Sequence, residues 1–267
     1  MIQPMKRWFP TGVMVLAVAA MLLHGPIAQP DHYHEFADGR AFLGLPNAAD
    51  VLSNAGFALV AAWGFWALRG KRDHPLLERA WPGYFVFLCA IALTAIGSGF
   101  YHLAPDNGRL LWDRLPIALA CAGLLAAVRA ETHGSSRWFL PALIAAAIAS
   151  VFWWSVTESF GAGDLRPYLL MQGAPLILIP LWQWIYGSPR ADRIAFGIAI
   201  GLYALAKVFE LNDHVVFDAL TYVSGHTIKH LLAVAAAAVL AGNLVWRVRE
   251  GAIRNSATLD LHSVGIR

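Results

Sequence analysis

Apolar residues in this chain fall into long runs, separated by short clusters of charge, Pro and Gly. An α-helix rises 1.5 Å per residue and a hydrocarbon layer is about 30 Å thick, so around 20 apolar residues cross it. On that scale the pattern predicts eight spans, at roughly 11–29, 51–68, 82–103, 114–130, 138–156, 167–186, 194–211 and 221–246. The connections are short, which predicts one all-α polytopic membrane bundle: a seven-helix core over 30–247 with one extra N-terminal helix in 1–29. The polar stretch 248–267, rich in Arg, Asn and Ser, predicts a flexible tail. Residues 1–29 also have the basic start and apolar run of a secretory signal peptide. Gly25-Pro26-Ile27-Ala28 makes a poor cleavage site, so a retained helix is the expectation.

Composition narrows the class. Of 267 residues 58% are hydrophobic and only 14% are charged, against about 25% charged in soluble domains. Charge this sparse cannot cover a globule in water, which excludes a soluble enzyme, a disordered chain and a fibrous repeat. The net charge of +3 does not form a phosphate-binding patch, and no nucleic-acid partner is expected. Its distribution instead sets an orientation. Lys6, Arg7, Arg69, Lys71, Arg72, Arg79, Arg129, Arg137, Arg190, Arg193, Arg247, Arg249, Arg254 and Arg267 fall at one set of span ends. The other set has only Arg40, Arg109, Arg114 and Arg166. Fourteen against four, alternating loop by loop, predicts cytoplasmic termini and outward acidic loops. Trp81, Trp138, Trp182 and Tyr222, at span ends, read as interfacial anchors, and Cys89 and Cys121 as small hydrophobes.

Polar side chains inside a bilayer cost several kcal/mol unless paired or ligated, so they mark candidate chemistry. His226 and His230, four apart near the start of the last span, share one helix face and have the spacing of two ligands for one divalent ion. Ser98 and His102 repeat that spacing at the end of the third span. A turn at Asn107-Gly108 then brings Asp113 to the depth of His102 in an antiparallel hairpin. The loop at 211–220 delivers His226 and His230 from the same outer side. Three imidazoles would leave a fourth tetrahedral position for water, the composition of a catalytic zinc site. Blander alternatives stand beside this: back-bonding of Ser98 to its helix, a pair between Asp113 and Arg114, and histidines bonded to carbonyls.

Ser98-x-x-x-His102, Asp113 eleven residues on and His226-x-x-x-His230 together resemble the alkaline ceramidase family, within the superfamily of seven-helix membrane hydrolases that includes adiponectin-receptor-like proteins. The likeness runs from about Asp31 to Trp246, and takes in Val51-Leu52-Ser53-Asn54, Lys207-x-x-Glu210 and Ser224-Gly225-His226. The wording Trp112-Asp113-Arg114 is similar to a bacterial branch, which implies the bacterial inner membrane with the site toward the periplasm. The resemblance implies that His102, His226 and His230 hold Zn²⁺, that Asp113 is the general base for the attacking water, and that Ser98 donates a hydrogen bond to that water or to the oxyanion. The implied reaction is hydrolysis of the amide of a ceramide-like N-acyl lipid in the bilayer. Alternatives are the same chemistry on another amphiphilic amide or ester, a receptor-like protein with structural zinc, and a transporter.

Weaker features stay open. Oxygen ligands between Asp31 and Asp50 could hold Ca²⁺ or be a solvated acidic loop. His32 and His34, two apart in a loop, share no helix face. Lys207 and Glu210 read as an intrahelical ion pair or as neighbours of the zinc site, with Asp213 and His214. Lys229 reads as a snorkelling amine or as a contact for an anionic headgroup or product carboxylate.

Overall fold

A computed structural model describes residues 2–134 and 136–264, with 2–5, 7 and 251–264 described by backbone alone. The helices in chain order are α1 (Ile2–His24), α2 (Ala48–Ser53), α3 (Ala55–Ala67), α4 (Pro75–Leu103), α5 (Asn107–His133), α6 (Phe139–Ser159), α7 (Arg166–Ile185), α8 (Arg190–Leu211), α9 (Asp213–Leu220) and α10 (Gly225–Val264). Among the described residues the one β-bridge, Phe42 to Leu45, closes a turn.

Among the described residues seven segments are long and apolar enough to cross a membrane: α2–α3 taken together, α4, α5, α6, α7, α8, and Gly225–Glu250 of α10. Each overlaps one of the seven later spans read from the pattern, with α4 and α5 starting seven residues earlier than expected, at 75 and 107. The bounds of the expected N-terminal helix are corrected: α1 occupies 2–24 rather than 11–29. Gly25 at φ +86° followed by Pro26 ends it early, because an L side chain rarely takes that φ and Pro cannot continue a helix. At the other end of the chain α10 continues as helix to Val264, where a flexible tail was expected from residue 248. Residues 265–267 of that tail lie outside the described residues.

Helices α4 and α5 form the central hairpin, and glycines set how closely they approach. A Cβ on Gly83 would stand 2.7 Å from the Gly123 carbonyl oxygen, and one on Gly123 would stand 2.6 Å from the Phe87 nitrogen. Near the outer end, Gly97 lies directly against the Trp112 carbonyl. Small residues let backbones touch where lipid gives no hydrophobic drive for association. Around this hairpin one core cluster runs through α3, α4, α5, α7, α8 and α10, with Leu77, Leu88, Leu125 and Leu244 fully buried. A second, built on Tyr101, Leu110, Val151 and Trp154, joins α5 to α6 and α7. Trp182 belongs to the first core rather than to an interface, whereas Trp138 and Tyr222 are exposed as anchors should be. Large apolar side chains such as Leu59, Trp66, Ile96 and Val208 cover the outside of the bundle, as a lipid-facing surface requires.

Each end of the bundle is tied by charge. At the end carrying most of the Lys and Arg, buried Arg247 of α10 donates to Glu131 of α5 (3.0 and 3.1 Å), to Asp192 of α8 (3.0 Å) and to the Tyr84 hydroxyl of α4 (2.9 Å). Asn243 completes Asp192 at 2.9 Å.

At the opposite end, Asp164 between α6 and α7 accepts from Arg166 at 2.8 and 2.9 Å and from the Trp153 indole at 3.0 Å. The next residue, Leu165, donates to the Ile27 carbonyl just after α1 (2.8 Å). The Arg166 guanidinium holds the Asp164 carboxyl well below the usual carboxylate range. A depressed folded-state value means that this stabilisation is complete above the unfolded value of about 3.9 and is lost as pH falls through the folded one. Thermal unfolding in detergent is therefore expected to show Asp164→Asn weaker than wild type by about 1–3 kcal/mol at pH 7. That gap should narrow as pH falls below the unfolded value. An unchanged gap down to pH 3 would remove the ion pair as its cause.

Candidate metal centre

Four local devices carry the site residues to one place. Gly97 against Trp112 brings the next residue of each helix, Ser98 and Asp113, into the wall of one cavity. One turn further along α4, His102 is fixed by its backbone, whose carbonyl accepts from the Asn47 amide at 2.8 Å. Helix α10 starts at Gly225, packed against the Phe209 carbonyl and the Asp213 backbone, where a side chain has no room. Ser224 caps that helix by accepting from the Thr227 N–H (3.0 Å), and Asp213 accepts the His226 N–H (2.7 Å).

The result is a buried cluster. Rings of His102, His226 and His230 have centroids 4.8–4.9 Å apart, and one ligand atom from each lies within 4.8 Å of the others. His102 Nε2 and His226 Nε2 are 3.3 Å apart. Two nitrogens at about 2.0–2.1 Å from one tetrahedral ion stand roughly 3.3–3.4 Å apart, so this pair forms one edge of such a site. His230 turns Nδ1 to the Ser53 hydroxyl of α2 (2.8 Å), which leaves Nε2 for an ion, the usual division of labour in a ligating imidazole. His102 is held instead by ring packing, against Phe36 at 4.7 Å and Tyr101 at 4.8 Å. Three neutral, buried imidazoles fit a divalent transition ion, and among the described residues they are the His/Cys/Asp/Glu group that could hold one.

Ser98, Asp113 and His230 also line a cavity of about 260 Å³ between α4, α5, α7, α8 and α10. Away from that polar end its wall is apolar, with Ile91, Leu124, Phe196 and Leu240 among its lining. Lys207 and Glu210 of α8 and Lys229 of α10 stand in the same wall.

All five residues singled out for chemistry, Ser98, His102, Asp113, His226 and His230, are therefore buried at one end of the bundle. Other expectations change. Arg114 lies over the rings of Trp154 (4.0 Å), Tyr33 (5.0 Å) and Tyr168 (5.4 Å), a cation held by aromatic faces rather than by Asp113. The loop from Asp31 to Asp50 gathers no set of three carboxylates among the described residues. Asp38 is taken by Arg40 at 2.7 Å, which holds its carboxyl below the usual range, and Asp50 bonds the Thr227 hydroxyl at 2.6 Å. His32 pairs with Glu35 on the surface, and His34 bonds the Tyr101 hydroxyl and Asn107, both at 2.9 Å.

Sequence reasoning missed the roof. Residues 25–47 cross the site end, and Phe36 sits on the His102 and His226 rings with centroids 4.7 and 4.3 Å away. The strap is tied down by Ala37 N–H to Asp213 (2.9 Å) and by Arg40 to the Thr221 and Tyr222 carbonyls (3.2 and 2.9 Å). Asp213 thus holds both the strap and the ligand helix. Nothing in the pattern separates Phe36 from any other loop phenylalanine.

Among known proteins, no curated protein and no solved structure matches this chain. Residues 49–247, which contain the three histidines, Ser98 and Asp113, match a family of unknown function, DUF6962, and the chain belongs to that family.

Proposed function

We propose that the protein is a zinc-dependent intramembrane hydrolase that cleaves the amide bond of ceramide-like N-acyl lipids, releasing a fatty acid and a sphingoid-type amine. The observation that carries this reading is the meeting of three imidazoles with an Asp–Ser pair at the polar end of an otherwise apolar cavity. A structural site closes its fourth position with protein, whereas three histidines leave one open. When bound, Zn²⁺ supplies Lewis acidity and lowers the pKa of water to about 7.

The remaining roles belong to the chain. Asp113 orients the attacking water and takes its proton, then returns it to the leaving nitrogen. Ser98 fixes the rotamer of Asp113 and offers its hydroxyl to the oxygen on which negative charge develops. The apolar wall running to Leu240 takes an acyl chain. Phe36 and the strap exclude bulk water from the outer side. The positive-inside distribution places this end away from the cytoplasm, which in a bacterium is the periplasmic side of the inner membrane.

The test is fatty-acid release from ceramide by detergent-purified protein, with metal analysis of the same sample. About one zinc per chain is expected. Asp113→Asn should lose about 10²–10⁴-fold in kcat with zinc retained, the usual worth of a general base. Zinc without hydrolysis of any N-acyl lipid would replace this reading with a receptor-like one, and absence of zinc would favour a transporter.

A further inference from the structure

Two lysines from different helices converge on one carboxylate inside the cavity. Lys207 reaches Glu210 from one turn away on α8. Lys229 of α10 reaches the other oxygen of the same carboxylate at 3.1 Å. Lys229 and Glu210 are both largely buried, with side chains 18% exposed. Two ammonium groups thus share one acid. The other carboxylate of this wall, Asp113, stands with Ser98 and makes no ion pair with either lysine. A buried ionic cluster of this kind is weak evidence for stability, because apolar residues of similar volume would hold the helices as well. Where such a cluster also lines a cavity, as this one does, it is a candidate ligand site.

Position identifies the ligand. Lys229 lies one turn from the first histidine of its helix, and its Nζ also donates to His226 Nε2 at 2.9 Å. An ion held by that nitrogen would take the lone pair Lys229 uses and would leave one ammonium N–H of Lys229 free in the cavity wall. We propose that Lys229 and Lys207 bind an anionic group carried on the amine side of the lipid, so that within the N-acyl lipids the preferred substrates are those with an acidic amine-side group, such as N-acyl amino acids. This rests on the hydrolase reading above and narrows its substrate. The balanced reaction adds water across the C–N bond: R–CO–NH–R′ and H₂O give R–COO⁻ and R′–NH₃⁺, with the acid group of R′ unchanged throughout.

The test compares N-dodecanoylglycine with its uncharged carboxamide, N-dodecanoylglycinamide, in two readouts on the full-length protein. One is turnover by the zinc-loaded protein and the other is binding by native mass spectrometry. Wild type is expected to favour the acid by at least about tenfold in kcat/KM and in binding, the discrimination of one charge-assisted contact. Lys229→Met should bring both ratios near one, chiefly through KM, while Lys229→Arg keeps most of the preference. Lys207→Met, at the more exposed partner, should give a smaller drop and serves if Lys229→Met fails to fold. Turnover or binding of both compounds without a lysine-dependent preference overturns the proposal, as does binding of neither. Lysine-dependent preference in binding without turnover sustains the anion site and overturns the hydrolase instead.

Discussion

His226→Ala is expected to abolish both metal retention and lipid hydrolysis. Even an outer partner of a metal-bound histidine is worth about 10–100-fold in affinity, so loss of a ligand itself should exceed about 100-fold. The remaining pair, His102 and His230, cannot hold an ion through purification. The same logic grades the neighbours: Ser53→Ala, which removes the hydroxyl beside His230 Nδ1, should weaken the metal by about 10–100-fold and leave measurable turnover. Zinc content and competition with a chelator check both variants. Full zinc occupancy in His226→Ala would show that the three rings do not share an ion.

Arg247→Met should have the largest effect on stability. It leaves Glu131 and Asp192 buried near one another without their common cation, and removes a donor to Tyr84. Breaking a buried ion pair from one side costs about 3–5 kcal/mol, because the abandoned charge stays desolvated. Adding Glu131→Gln and Asp192→Asn to Arg247→Met should recover much of that loss. Thermal unfolding in detergent distinguishes the cases. A single variant within about 1 kcal/mol of wild type would mean that water reaches those carboxylates.

The seven later spans were legible because a fixed hydrocarbon thickness dictates their length, and Arg, Pro and Gly mark where each one stops. The site was legible in part for a similar reason. Four-residue spacing puts Ser98 with His102 and His226 with His230 on single faces, and a break between α4 and α5 sets the depth of Asp113, although it falls at 104–106 and the expected turn residues Asn107 and Gly108 already belong to α5. What stayed hidden depends on contacts between distant stretches. Lys229 and Glu210 are 19 residues apart, and Arg247 is 116 from Glu131. Glu210 read only as the partner of Lys207 on its own helix, and Lys229 and Arg247 as charges without partners, until other helices supplied the contacts. Arg114 misled because sequence adjacency favoured Asp113, whereas the helix turns its side chain toward three aromatic rings. The first helix misled because apolar composition continues past His24 although the backbone does not.

The strap over the imidazoles also carries a timetable. Its residues leave the ribosome early, but the groups that fasten it, Asp213, Thr221 and Tyr222, are made near the end of synthesis. His226 and His230 follow those groups in α10, so Phe36 can close over the three rings only when the last helix has joined the bundle. The roof and the histidine cluster beneath it are therefore completed together, by the same late stretch of chain, and neither is assembled before the other.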